Sequence, residues 1–165
     1  MAEQSTPIYS RILVKLSGEA LIAESGLPFD LSVIDSLVSS LADVRAMGVQ
    51  IAVVVGAGNL FRGKGLSAVG LEHVTADQMG MLATVMNGLA LRDAFDRAKV
   101  PCRLLSAFAV DGLVDPFCRH KALHHLELDR ILILAGGTGN PLVTTDSAAS
   151  LRAIEINADA MFKAT

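Results

Sequence analysis

Tryptophan is absent from the chain and tyrosine occurs once, so the flat aromatic platforms on which proteins stack single-stranded bases are scarce. An excess of positive charge is missing as well. The net charge is −3 at pH 7, which gives no electrostatic footprint for a nucleic acid or an anionic membrane surface. Cysteine is limited to Cys102 and Cys118, which suggest neither a disulfide framework nor a metal-ligand spacing and read as reduced thiols of a cytoplasmic protein. The uncharged stretch Gln78–Leu91 is about fourteen residues and carries Gln78, Asn87 and two glycines, too short and too polar to span a bilayer. Met1 to Pro7 is polar and lacks the apolar core of a secretion signal. The histidines, His73, His120, His124 and His125, show no metal spacing with a matched carboxylate, so no metal site is expected from protein side chains.

What is present is apolar and alternating. The 165 residues are 52% hydrophobic with a mean hydropathy of +0.48, enough for one domain with a sizeable core. A value this high implies a sheet buried on both faces together with a subunit interface, or a part of a larger fold. Strands are predicted over Arg11–Leu16, Ile51–Val55, Arg103–Ala107 and Ile131–Leu134, with another beginning over Ala160–Lys163. Asp30 is placed to cap a helix with the stripe Leu31, Ile34, Val38, Leu41 and Val44, and Gly48 to end it. Thr75-Ala-Asp-Gln78 matches a capping box and opens a long helix to about Ala98, apolar almost all round through Met79, Leu82, Val85, Met86, Leu89 and Leu91. Shorter helices are predicted over Pro116–Leu126 and Asp146–Ile156. Strand–helix alternation throughout means an α/β fold with a mostly parallel central sheet and helices on both faces. It forms one domain over 1–165, with 1–7 expected to be disordered.

Three of the apolar strands empty into glycine-bearing loops. Lys15-Leu16-Ser17-Gly18 follows the first, Gly56-Ala57-Gly58 through Arg62-Gly63 the second, and Gly136-Gly137-Thr138-Gly139-Asn140-Pro141 the fourth. Ligands of open parallel sheets bind at the carboxyl ends of the strands. Glycines there let backbone N–H groups approach phosphate oxygens, and Lys15 and Arg62 are the cations to complete a polyanion site. Each feature has an ordinary alternative: a solvated strand-end lysine, turn glycines, a surface arginine. Asp77 serves equally well as a first-turn carboxylate complementing the helix dipole or as an acceptor for a ribose hydroxyl. Thr138, Asn140, Thr144, Thr145 and Asp146 are more polar groups than one helix cap needs; Thr144 or Thr145 is the cap, and the rest suit a phosphate at the helix N-terminus.

Taken together, Lys15-Leu-Ser-Gly-Glu-Ala-Leu21, Gly58-Asn-Leu-Phe-Arg-Gly63, Asp77 through Ala90, Thr138-Gly-Asn-Pro141 and Thr144-Thr-Asp-Ser-Ala-Ala149 resemble the bacterial UMP kinases (uridylate kinases) of the amino acid kinase fold, a three-layer sandwich. The resemblance runs from about Ile8 to the last residue. It implies transfer of the ATP γ-phosphoryl group to UMP, giving UDP and ADP in pyrimidine nucleotide biosynthesis, with Mg2+ held mainly by the ATP phosphates. By the same resemblance Lys15, Arg62 and Asp146 are catalytic, Asp146 orienting Lys15, and Lys163 is a second phosphate lysine. Lys15, Leu16, Ser17, Gly18, Gly58, Arg62 and Thr165 would contact ATP. Ala57, Asp77, Thr138, Gly139, Asn140, Pro141, Leu142, Val143, Thr144 and Thr145 would contact UMP. Arg92, Asp93 and Arg103 would answer to an allosteric nucleotide, with GTP as activator and UTP as inhibitor, in a homohexamer.

Two departures from the family pattern accompany these expectations. Ala57 stands where the family has the middle of three glycines, and its methyl is tolerated if φ stays negative. Family chains also continue past Thr165 with most of the adenosine pocket. The chain therefore reads as C-terminally truncated, the part carrying the acceptor site, and the alternative to an active kinase is a UMP- or UTP-binding fragment with impaired catalysis. A further alternative is a fold relative acting on a carboxylate or carbamate.

Overall fold

The computed structural model describes residues 6–22, 27–61 and 70–164. Its elements in chain order are β1 (Arg11–Leu16), a 3-10 turn (Gly18–Leu21), α1 (Leu31–Ala46), β2 (Gln50–Val55), α2 (His73–Arg97), β3 (Cys102–Ser106), β4 (Asp115–Pro116), α3 (Arg119–Glu127), β5 (Ile131–Ala135), α4 (Thr145–Glu155) and β6 (Ala160–Ala164). The six strands form one sheet in the order β4-β3-β5-β2-β1-β6, and every pairing between them is parallel. Parallel strands covered on both faces read as unbroken apolar runs, and β2 and β5 do so, with Ile51–Val55 and Ile131–Ala135 buried throughout.

The two faces carry separate cores. On one, Ile34, Val38 and Leu41 of α1 and Val85, Leu91 and Phe95 of α2 pack with Ile51, Val53, Ile131 and Ile133. On the other, Ala122 and Leu126 of α3 and Ala149 of α4 pack with Leu13, Val54, Leu132 and Leu134. The strand alternation delivers both sets, because successive side chains leave a strand on opposite faces. The α1 cap forms as expected, Asp30 accepting from the Ser32 and Val33 N–H groups, and Gly48 follows the helix with φ 87°. Leu31, placed in the stripe by spacing, is exposed instead.

Other boundaries differ. The long helix begins at His73 with Glu72 as an N-cap that makes no side-chain bond. Thr75 is already helical, so its hydroxyl is not a cap, and Asp77 sits in the second turn rather than the first. The helix predicted from Pro116 starts at Arg119, because Asp115–Pro116 is spent on an edge strand beside Leu105 and Ser106, a position where proline's missing N–H does no harm. β6 pairs with β1 on one side and leaves Met161 and Phe162 half exposed. The expected disorder of 1–7 falls mainly on residues outside the described ones.

Candidate functional site

Strand order decides what lies together. β5, β2 and β1 are consecutive in the sheet, so the three glycine loops leave neighbouring strands at the same edge. The chain leaves β1 and β2 toward α1 and α2 on one face, and leaves β5 toward α4 on the other. Adjacent strands whose outgoing connections part to opposite faces open a crevice at their carboxyl ends, and here that crevice lies between β2 and β5. A cavity of about 220 Å³ occupies it, lined among others by Ala57, Gly58, Asp77, Asn140, Thr144 and Thr145.

The loops touch one another. A methyl on Gly18 would lie 2.5 Å from the Gly58 nitrogen and 2.8 Å from the Gly56 oxygen, and one on Gly56 would lie 3.2 Å from the Gly18 nitrogen. Gly18, Gly56 and Gly58 all have ordinary negative φ. They are needed for close approach, not for a left-handed turn. Ala57 is likewise outside the left-handed region, so its methyl meets the condition set by the sequence.

Lys15 and Lys163 are register partners on β1 and β6, and Asp146 in the first turn of α4 bridges them. Lys163 Nζ donates to Asp146 Oδ2 at 2.7 Å. Lys15 Nζ is 2.9 Å from Oδ1 as an ion pair outside hydrogen-bond geometry. Lys15 is 8% exposed, whereas the Asp146 side chain is half exposed. The hydrogen bond from Lys163, then the ammonium of Lys15 beside it, holds the Asp146 carboxyl below its usual range against the opposing effect of burial. A depressed carboxyl contributes stability that is present above the ordinary aspartate pKa and lost as pH falls through the lowered value. The bridge is therefore intact at neutral and mildly acidic pH.

On the α2 side of the crevice, Asp77 Oδ2 accepts from the Leu142 N–H at 2.7 Å and lies 3.4 Å from His73 Nδ1. This bond holds Leu142 at φ 67°, a left-handed conformation that a branched side chain adopts only when its surroundings impose it. Asn140 N–H donates to Thr138 Oγ1 at 3.2 Å, and Thr144 caps α4 by accepting from Ser147 N–H. The Thr145 and Asp146 N–H groups belong to the orphan set of the helix N-terminus, which favours an anion. Asn140, Pro141, Val143, Thr144 and Thr145 line the cleft with Ala57 and Asp77; Thr138, Gly139 and Leu142 do not.

Arg62, Gly63 and Thr165 lie outside the described residues. Arg92 and Arg103 line a separate cavity of about 680 Å³ with Asp96 and Asp115. It lies beside β3 and β4, away from the phosphate-type loops, so its size does not make it the reaction site. Asp93 is not in its wall and pairs with Arg97. Two residues at the crevice escaped sequence reasoning. Thr84 and Asn87, buried on α2, bond to the loops after β5 and β2. The available signal was two polar residues three apart in an otherwise apolar helix.

The thiols differ in chemistry. Burial pushes Cys102 up to about 11, while the Lys121 and His120 N–H groups of the α3 terminus lower exposed Cys118. Since the thiolate is the nucleophile, iodoacetamide at pH 7.5 to 8, read by peptide mass mapping, is expected to label Cys118 at least about tenfold faster than Cys102.

Among the described residues no group of three or more His, Cys, Asp or Glu is arranged to hold a metal, and Asp146 is committed to two lysines. No described helix is long and apolar enough to cross a membrane.

A sequence model of the amino acid kinase family matches residues 10–165. The uridylate kinase of Coxiella burnetii is 54% identical over 165 residues, covering all of this chain and 68% of that protein. A uridylate kinase of Legionella pneumophila is 56% identical over 157 residues, 95% of this chain and 64% of that protein. The crystal structure of UMP kinase from Bacillus anthracis superposes with a TM-score of 0.91 at 35% identity, over 95% of this chain and 65% of that one. The chain thus spans about two thirds of the length of the curated relatives it matches.

Proposed function

Because the chain belongs to the amino acid kinase family, we propose that its crevice transfers the γ-phosphoryl group of ATP to UMP, giving ADP and UDP. The observation that carries this reading is the Lys15–Asp146–Lys163 bridge at the N-terminus of α4, next to three strand-end glycine loops. An oxygen of the UMP phosphate forms a bond to the γ-phosphorus as the bond to the β,γ-bridging oxygen breaks, and ADP leaves with that electron pair. The second ionisation of a phosphate monoester lies near pH ~6, so the attacking oxygen is already deprotonated at neutral pH. No general base is required, and Asp146, held ionised by its lysines, serves to aim them. Charge neutralisation and alignment supply the catalysis.

In this reading Lys15, Lys163 and Arg62 offset charge on the transferring group. Leu16, Ser17, Gly18, Gly58 and Thr165 serve the ATP side. Asp77 takes the ribose, and Ala57 with Thr138 through Thr145 surrounds UMP. Magnesium arrives on the ATP phosphates. The wider cavity supports an effector site in which Arg92 and Arg103 take GTP, with Asp93 nearby and UTP as the inhibitor. Half-exposed Leu82 and Met86 on α2 support subunit contacts in a homohexamer. The setting is the pyrimidine nucleotide metabolism of the cytoplasm.

The test compares UMP with small carboxylates and carbamate as acceptors in an ADP-release assay. UMP alone is expected to drive ADP formation. Asp77→Asn is expected to raise the KM for UMP about 10- to 100-fold, the effect of losing charge-assisted hydrogen bonds. Turnover of an acid in preference to UMP would refute the reading.

A further inference from the structure

The polar residues buried on α2 are unusual in their partners. Thr84 is 1% exposed and Asn87 is fully buried, and they stand one helical turn apart on the side that faces the strand ends. The Thr84 hydroxyl donates to the Met81 carbonyl at 2.7 Å and accepts from the Gly136 N–H at 2.7 Å. Asn87 Nδ2 donates to the Gly56 carbonyl and to Asn59 Oδ1, both at 2.7 Å. Asn59 Nδ2 in turn donates to Asn87 Oδ1 and to the Pro28 carbonyl, both at 2.9 Å.

This set is closed. Each amide uses both N–H groups, and its orientation is fixed because Gly56 and Pro28 present carbonyl oxygens that accept only. A helix that needed nothing but burial would gain as much from apolar residues of the same shape, since replacing both partners of a buried hydrogen bond is close to neutral. Here the partners are backbone groups of two different loops, one on each side of the crevice.

We propose that Asn87 and Thr84 are positioning residues for phosphoryl transfer, each governing one loop. Asn87, with Asn59, fixes the Gly56–Gly58 loop against Gly18, whose added methyl would sit 2.8 Å from Asn59 Oδ1. It thereby sets the distance between that loop and the one that follows Lys15. Thr84 fixes Gly136, the entry to the acceptor loop. Gly136 has φ 77°, and a methyl on it would meet Ser106 Oγ at 2.6 Å, so the N–H to Thr84 is held in one direction. Asn87 therefore acts on the rate of the step and Thr84 on the affinity for UMP. The assignment rests on the phosphotransfer reading above.

The experiment measures kcat, the KM for UMP and loop amide exchange in Asn87→Leu, Asn59→Ala, Thr84→Val and Thr84→Ser. Each is assayed well below its own unfolding temperature. Asn87→Leu is expected to lower kcat about 100-fold with the KM for UMP within about threefold, as a loop displaced by an ångström would do. Thr84→Val is expected to raise the KM for UMP about tenfold with kcat within about threefold, and Thr84→Ser, which keeps the hydroxyl, to restore it. Asn87→Leu should speed exchange at 56–59 and leave 136–140 as in the parent, and Thr84→Val should do the reverse. Equal losses of kcat in both variants, or faster exchange spread evenly over the core strands, would overturn the assignment. If Asn87→Leu does not fold, half-buried Asn59→Ala decides: about fivefold lower kcat with faster exchange at 56–58 supports it, and no change in either overturns it. If the parent protein turns over no UMP, the phosphotransfer reading fails, while the exchange arm still tests loop positioning.

Discussion

Replacing Lys15 by methionine is expected to lower kcat about 10²- to 10³-fold, the usual loss when a preorganised charge at the reacting group is removed. The fold should survive. Methionine fills nearly the same volume at the end of β1, and Asp146 keeps its hydrogen bond to Lys163, so no carboxylate is stranded. The effect is large because Lys15 is almost wholly buried, where its charge is screened far less than that of a surface lysine. Asp146→Asn should cost less, since both lysines remain and lose only their common aim. Steady-state ADP release together with thermal unfolding by circular dichroism checks both variants. A Lys15→Met protein that retains more than about a third of parental kcat would remove Lys15 from the chemistry.

Gly18→Ala is expected to damage fold and activity together. The added methyl would meet the Gly58 nitrogen at 2.5 Å, the Asn59 amide oxygen at 2.8 Å and the Gly56 carbonyl at 2.8 Å. Two of these are backbone atoms, and the third, the Asn59 amide, is held by its bonds to Asn87 and the Pro28 carbonyl. Gly56 and Asn59 are tied to Asn87, and the Gly56 N–H is bonded to the Leu16 carbonyl at 2.9 Å. The first two loops must then separate. Overpacking of this kind costs about 1–3 kcal/mol of stability, and a loop moved by about an ångström costs about 10²-fold in rate. Denaturant unfolding and kcat on the same preparation check it. Parental stability and parental kcat together would mean that the loops are not held as tightly as the contacts imply.

Much of this site was legible in the sequence because its signals are local. A glycine loop after an apolar strand, Asp30 ahead of a helical stripe and Thr144 before α4 each depend on a few adjacent residues. What escaped depends on distance in the chain. The pairing of Asp146 with Lys15 came from the family resemblance alone, and its second arm needs Lys163 beside Lys15, which follows from the register of β1 with β6 and from no spacing. The two-residue strand β4 is too short to show a period. The long helix misled for a physical reason: hydrophobicity marks Leu82 and Met86, yet these are half exposed. Beside Val85, Leu91 and Phe95, the buried face carries Ala83, Thr84, Asn87 and Gly88, because α2 lies so close to the sheet there that a methyl on Gly88 would come within 2.7 Å of Leu104 Cδ1. Close approach selects small residues and loop bonding selects polar ones, so the functional face of this helix looks weaker in the sequence than its solvent face.

The central claim is that this crevice moves a phosphoryl group from ATP to UMP. Phosphorus NMR of the 165-residue protein with ATP, magnesium and UMP tests it most directly, with Lys15→Met in a parallel tube. The account predicts that UDP signals grow in step with the loss of the ATP γ-phosphate, and that inorganic phosphate stays flat. It also predicts that conversion nearly stops in the variant. UMP that binds but is never converted, or free phosphate appearing in place of UDP, would contradict it.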